Sequence, residues 1–235
     1  MRYLLLLMSA ALIAQPAVAD DKDAEKLFLK MDGTLRAAKT LQCQFDLNLT
    51  VSTAKISLKG SMLLGEADTL RLEGESKFLD AGVKVLHVSD GAKLAYRDFG
   101  DPKENWTKET PKALGAHART MFPRYGIGIL WNSLNRPVYQ ASTADLDQVS
   151  EFKLGVKEEL GKRQTQQIEY TVTRKIDVLS PPKHRVRVWI DLQTSLPVKL
   201  VATLDKDAGI SAATETYGEF KIDGKIDEKS FKLPK

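Results

Sequence analysis

The 235-residue sequence has a single cysteine, Cys43. No disulfide can form within the chain, so an oxidising compartment would add nothing to its stability. Its three histidines, His87, His117 and His184, are far apart in sequence. None stands at a metal-ligand spacing from another His, Cys, Asp or Glu. There is no G-x-S-x-G elbow, no phosphate-binding loop and no dinucleotide fingerprint. This scarcity of convergent titratable groups points away from an enzyme, and no metal or cofactor is expected. An excess of one charge sign is also missing, since 35 Lys and Arg stand against 31 Asp and Glu. A nucleic-acid footprint needs a clustered basic face, so no nucleic-acid partner is expected. Beyond the N-terminus, no apolar run approaches the roughly 20 residues of a membrane helix, which excludes stable membrane insertion by that route.

What is present begins with an export signature. Arg2 supplies a positive charge, Tyr3 to Ala14 are almost purely apolar, and Ala17-Val18-Ala19 forms a small-x-small site before the polar run Asp20 to Glu25. The expectation is a cleaved signal peptide over residues 1–19 and a single domain over 20–235. With no cysteine beside the cleavage site to carry a lipid, the mature protein should be soluble and extracytoplasmic.

Leu27, Met31, Leu35, Ala38 and Leu41 fall on one stripe of a helix over residues 23–40. Gly33 inside it costs about 1 kcal/mol relative to alanine. The period then changes to two. Cys43, Phe45, Leu47, Leu49 and Val51 alternate with Gln42, Gln44, Asp46, Asn48 and Thr50, the mark of a strand with one buried and one wet face. Ile56 to Leu64, Leu70 and Leu72, and Val83 and Val85 continue the pattern. The turn Asp90-Gly91 leads to Leu94 and Tyr96. After an interruption, strands resume at Phe152–Val156, Ile168–Val172, Val186–Ile190, Val198–Leu204 and Thr216–Ile222. About nine strands joined by short turns, without alternating helices, describe an antiparallel sheet. The interruption over 111–136 carries Leu114, Met121, Leu130, Trp131 and Leu134 at helical spacing. Pro123, Gly126 and Gly128 should break it into two short pieces. The fold class is therefore α+β, mainly β: a strongly twisted antiparallel sheet forming an incomplete barrel. The N-terminal helix and the central helical segment cover its apolar face. A curled one-faced sheet either opens a space for a ligand beneath that cover or packs solid.

Other candidates read as structure. Asp205-Lys206-Asp207-Ala208-Gly209 resembles the opening of a calcium loop, but Thr216 stands where the closing Glu belongs, so a polar turn is expected. Cys43 lies on the apolar strand face, where a thiol behaves as a small hydrophobe. Asn48 and Asn105 head N-x-T sequons that chance accounts for. Arg185, Arg187 and Trp189 share an outward strand face that is either solvated or receives an anionic partner.

Several short stretches, in order, resemble the periplasmic LolA/LolB-type lipoprotein-carrier superfamily. They are the helix running into Leu41-Gln42-Cys43-Gln44-Phe45, the strand start Gly60-Ser61-Met62-Leu63, and the hairpin Val88-Ser89-Asp90-Gly91-Ala92-Lys93-Leu94-Ala95-Tyr96. Val188-Trp189-Ile190-Asp191 with Thr194-Ser195-Leu196-Pro197, and the closing Phe231-Lys232-Leu233-Pro234, complete the series. The resemblance implies a half-barrel under a helical lid, a periplasmic location, and a carrier sheltering acyl chains of a lipid or lipoprotein. It also implies a monomer, with an envelope protein as a further partner. The apolar site would be lined by Leu47, Leu49, Leu63, Leu70, Leu72, Val85, Leu94, Met121, Leu130, Trp131, Val188, Ile190 and Val198. Such carriers place an Arg-Pro pair after an early strand, whose Arg ties down the lid. At the matching place this chain reads Leu64-Gly65-Glu66-Ala67-Asp68, and Ala95 stands near the family's Trp. The alternative is a packed-core envelope or stress-sensing module acting through its surface.

Overall fold

The computed structural model describes residues 21–51, 54–78, 81–135, 147–174, 183–204 and 210–234. The signal-peptide expectation for 1–19 and the polar turn over 205–209 lie outside the described residues.

The period-two segments form β1 (Leu41–Val51), β2 (Ala54–Leu64), β3 (Thr69–Phe78), β4 (Ala81–Asp90), β5 (Lys93–Asp98) and β6 (Trp106–Glu109). They continue as β7 (Asp147–Leu160), β8 (Arg163–Arg174), β9 (Lys183–Asp191), β10 (Pro197–Leu204) and β11 (Ile210–Ile222). All eleven lie in one sheet in the order β6-β5-β4-β3-β2-β1-β11-β10-β9-β8-β7. Every neighbouring pair is antiparallel. The first and last strands meet in the middle, and β6 and β7 are unpaired edges, so the barrel stays open.

Among the described residues, eleven strands replace the about nine expected from alternation. β6 left no trace in the sequence because its four residues, Trp-Thr-Lys-Glu, hold one apolar position. It is brought onto β5 by the preceding turn, where the Asn105 side-chain oxygen accepts the Asp98 N–H at 2.6 Å. The two turns expected from sequence form through side chains. The Asp90 carboxylate accepts the Ala92 and Lys93 N–H groups at 2.9 and 2.8 Å, with Gly91 at φ +94°. The Asp191 carboxylate accepts those of Gln193 and Thr194 at 2.8 and 3.1 Å.

Curvature comes from bulges and from one close approach. Register shifts interrupt the β1–β11, β7–β8 and β9–β10 ladders, each adding local twist. Gly60 and Gly74 face each other across β2 and β3. A Cβ on Gly60 would lie 1.9 Å from the Glu73 carbonyl oxygen, so the strands coil here only because neither residue has a side chain.

The N-terminal helix α1 (Asp21–Ala37) buries Ala24, Phe28, Met31 and Leu35 against β7 and β8. Its central anchor is Phe28, whose ring lies 4.8 Å from that of Tyr170 and 5.4 Å from that of Phe152. The helix ends before the expected Thr40. The Lys39 N–H is taken by Asp223 at 2.7 Å and the Thr40 carbonyl by the Asp223 N–H at 2.9 Å, which turns Leu41 over to β1.

Between β6 and β7 the chain makes α2 (Leu114–Tyr125) and α3 (Ile127–Asn135). These two helices lie over the inner face of the half-barrel, α2 touching β3 and β9 and α3 touching β1 and β11. The break between its helices is at Gly126 alone, in the left-handed region at φ +84°. Pro123 lies within the last turn of α2 and Gly128 in the first turn of α3, so neither breaks a helix as expected.

Candidate functional site

Three layers of apolar side chains meet under α2 and α3. The inward phase of the strands supplies Leu47, Leu58, Met62, Leu70, Leu72, Val85, Leu94, Val188, Ile190 and Leu200. The helical connection supplies Leu114, Ala118, Met121, Phe122, Ile127, Leu130 and Leu134, and α1 closes one flank. Of the residues expected to line an apolar site, Leu47, Leu70, Leu72, Val85, Leu94, Met121, Leu130, Val188 and Ile190 are buried in this one cluster. Leu49 and Trp131 are partly buried against it.

Leu63 is a correction. It pairs with Gln42 and Arg71 on the other face, while Met62 and Leu64, at 0% exposure, take the inward phase. A one-residue change of phase moves a side chain through the sheet, and three successive apolar residues left that phase open. Val198 sits half-buried at the bulge between Pro197 and Lys199, beside the cluster rather than in it.

Among the described residues the interior is closely packed. Leu70, Leu72, Leu94, Leu130, Val188 and Ile190 each have 0% of their surface accessible, so no water-sized space adjoins them.

The cover is fastened by polar ties at a few points. At the start of α2, the Asp68 carboxylate in the β2–β3 loop accepts the N–H groups of Ala113 and Gly115 at 3.2 and 3.0 Å. One turn on, the Arg119 guanidinium donates to the carbonyls of Ala38, Lys39 and Gly65 at 2.8, 2.7 and 2.7 Å. Burial pulls the Arg119 pKa down, opposed by the carboxylates of Asp223 and Asp68. The loop where the resemblance implied a lid-tying Arg-Pro pair is thus the place where the tie lands. Here the arginine stands on the helical cover, and its acceptors lie in the α1–β1 turn and the β2–β3 loop. At the end of α2, the Tyr170 hydroxyl donates to the Pro123 carbonyl at 2.8 Å. At the end of α3, Lys108 Nζ donates to the Leu134 carbonyl at 3.2 Å.

The fifth tie is internal. Glu215 on β11 points inward, between Leu47 on β1 and Leu200 on β10 in the register, with none of its surface accessible. Its carboxylate accepts the N–H groups of Ile127 and Gly128 at 2.7 and 2.9 Å, at the start of α3, and the Tyr217 hydroxyl. Burial raises its pKa, and these three donors partly offset that. Sequence reasoning missed Asp68, Arg119 and Glu215 as functional positions. For Glu215 the only signal was its phase, shared with Ala213 and Tyr217.

An aromatic group lies where α3 meets β4, β5 and β6. The His87 ring is 4.6 Å from that of Trp131, 4.8 Å from Tyr96 and 5.9 Å from Trp106. The three histidines remain in separate surroundings, and His184 packs edge-on to Tyr125 at 5.1 Å. Among the described residues, no group of three or more His, Cys, Asp or Glu could hold a metal. Cys43 is buried, and burial pushes its thiol well up in pKa, away from nucleophilic reactivity. Of the outward trio on β9, Trp189 is covered by Lys199 at 4.6 Å and bonded to Glu158. Arg185 lies 3.7 Å from Glu169. The wet face also has a groove of about 1020 Å³ along β11, β1, β2, β3 and β4, whose lining mixes Lys59, Arg71 and Lys84 with Asp46, Glu73 and Glu75.

The arrangement implied by the family resemblance, an open half-barrel under an N-terminal helix and a helical cover, is the one this chain adopts. Comparison with protein-family models gives no match, and neither does comparison with curated proteins. Comparison with solved structures finds the lipoprotein LppX of Mycobacterium tuberculosis at 13% identity and a TM-score of 0.47, over 88% of this chain and 99% of that one. LprF from Mycobacterium bovis matches at 10% identity and 0.45, over 89% and 97%. A LolA superfamily protein from Nitrosomonas europaea matches at 10% identity and 0.39, over 89% and 97%. Among the described residues, no helix is long and apolar enough to cross a membrane.

Proposed function

We propose that this protein is a periplasmic carrier that shelters an apolar ligand, the acyl chains of a lipid or lipoprotein, between the curled sheet and the α2–α3 lid. The observation that carries this reading is the division of labour in the lid. Its body contributes apolar side chains to the core, while polar attachments through Asp68, Arg119, Arg124, Tyr170, Lys108 and Glu215 stand along its length. Lifting the lid exchanges one apolar partner for another and breaks these ties. Each methylene buried in its place contributes about 0.8 kcal/mol, so one acyl chain offsets several broken ties. The ordered sequence motifs support the same reading.

A second reading rests on the filled interior: a packed module that acts through its surface on an envelope protein. Titration with a fluorescent fatty acid separates the two. Saturable binding, displaced by unlabelled acyl lipid, is the result expected of a carrier. No uptake after prolonged incubation contradicts that reading and leaves the packed module.

A further inference from the structure

We propose that Glu215 is the latch of the lid: its carboxyl group holds the α2–α3 corner against the sheet, and its change of charge sets how readily that corner opens. This rests on reading α2–α3 as a lid. The corner is Gly126, and a Cβ there would lie 2.5 Å from a Glu215 carboxylate oxygen. The chain therefore passes the carboxyl group where only a residue without a side chain fits, and the next two N–H groups point at it. The hydrogen bonds that join Glu215 to the lid are made to backbone N–H groups.

The titratable groups facing Glu215 are the Tyr217 hydroxyl on its own strand, the Cys43 thiol on β1 and the Tyr170 hydroxyl on β8. All three are pushed up by burial and stay neutral through the physiological range. From the lid it meets the N–H groups of Ile127 and Gly128. Glu215 is thus the carboxyl group of this set, and in the closed lid burial raises its pKa while the three donors pull it back down. The open lid returns it to water and to an ordinary carboxylate value. A carboxyl group whose pKa is raised in the closed state stabilises closure below its ordinary value. That contribution is lost as pH rises through the raised value. The latch is tighter on the acid side of the raised value than above it.

The test is hydrogen exchange of the Ile127 and Gly128 amides in the ligand-free chain between pH 5 and 8, with intrinsic exchange divided out. In the wild type the opening constant should rise with pH, by up to about tenfold per unit where one proton is released. In Glu215→Gln, which mimics the protonated carboxyl, it should be flat and remain at the acid value. A flat wild-type profile, or a pH dependence that survives Glu215→Gln, overturns the proposal. If Glu215→Gln does not fold, Tyr217→Phe decides. Loss of a donor to the carboxylate should move the profile to higher pH, and an unmoved profile counts against the latch. Because no ligand is present, failure here leaves the carrier reading standing, whereas failure of acyl uptake leaves the latch standing.

Discussion

Replacing Arg119 by alanine should loosen the lid at its most heavily bonded point. The guanidinium donates to three carbonyls from two separate loops, all within 2.8 Å, and so joins α2 to the end of α1 and to the β2–β3 loop. A hydrogen bond from a charged group contributes about 1.5–3 kcal/mol. Three such bonds do not add, because one side chain is ordered and desolvated once for all of them. Water also replaces the bond at the exposed Lys39 carbonyl. A net loss of ~2–4 kcal/mol follows, with the carbonyls of Ala38 and Gly65 bearing most of it. For a domain of this size each kcal/mol shifts the melting temperature by about 2–4 °C, so a fall of about 5–15 °C is expected. Thermal melts followed by circular dichroism measure it directly. Arg119→Lys is the sharper control, since a point-like ammonium cannot span the three carbonyls and should recover less than half the loss. A melting temperature within about 1 °C of wild type for Arg119→Ala would show that the tie is not structural. Full recovery by Arg119→Lys would show that charge matters and the fork geometry does not.

Three further outcomes follow from burial and contact. Phe28→Ala removes the ring that seats α1 on Phe152 and Tyr170 and should cost about 3–5 kcal/mol in urea denaturation; a loss below about 1 kcal/mol would mean that α1 is not anchored there. Leu47→Glu puts a charge at a position 1% exposed and should prevent folding, whereas half-buried Leu49→Glu should leave a folded chain that no longer takes up a fluorescent fatty acid. Folded Leu49→Glu with undiminished uptake would remove Leu49 from the site. Arg185→Glu combined with Arg187→Glu should leave both melting and acyl uptake unchanged, because both side chains are exposed on the wet face. A loss of uptake would mean that this face takes part in binding.

The elements were legible wherever periodicity was clean. The Cys43–Val51 alternation, the Asp90-Gly91 hairpin, the Asp191–Leu196 turn and the helical interruption all stand where the pattern put them. What failed did so for identifiable reasons. Leu63 was misplaced because Met62, Leu63 and Leu64 are all apolar, and only the ladder to Arg71 and Gln42 decides which way Leu63 points. β6 has too few residues to show a period. Glu215 was invisible because a carboxylate on the inward phase reads as solvent-facing unless its partners are known. Those partners are backbone groups at the start of α3, 88 residues away in sequence at Ile127. Arg119 was missed because the family pattern directs attention to an arginine in the loop after an early strand, and here that loop supplies an acceptor instead. Periodicity reports which face a residue takes within its own element. The ties that fasten the lid run between elements and leave no period.

Native mass spectrometry of the mature chain, purified without detergent, with a lipid extract of the same sample run beside it, tests the carrier reading most directly. The account predicts adducts whose masses match a phospholipid, a fatty acid or an acylated peptide, or their appearance on incubation with acyl lipids at neutral pH. A bare mass that stays bare under those conditions would contradict it and would make the filled interior the permanent state of the fold.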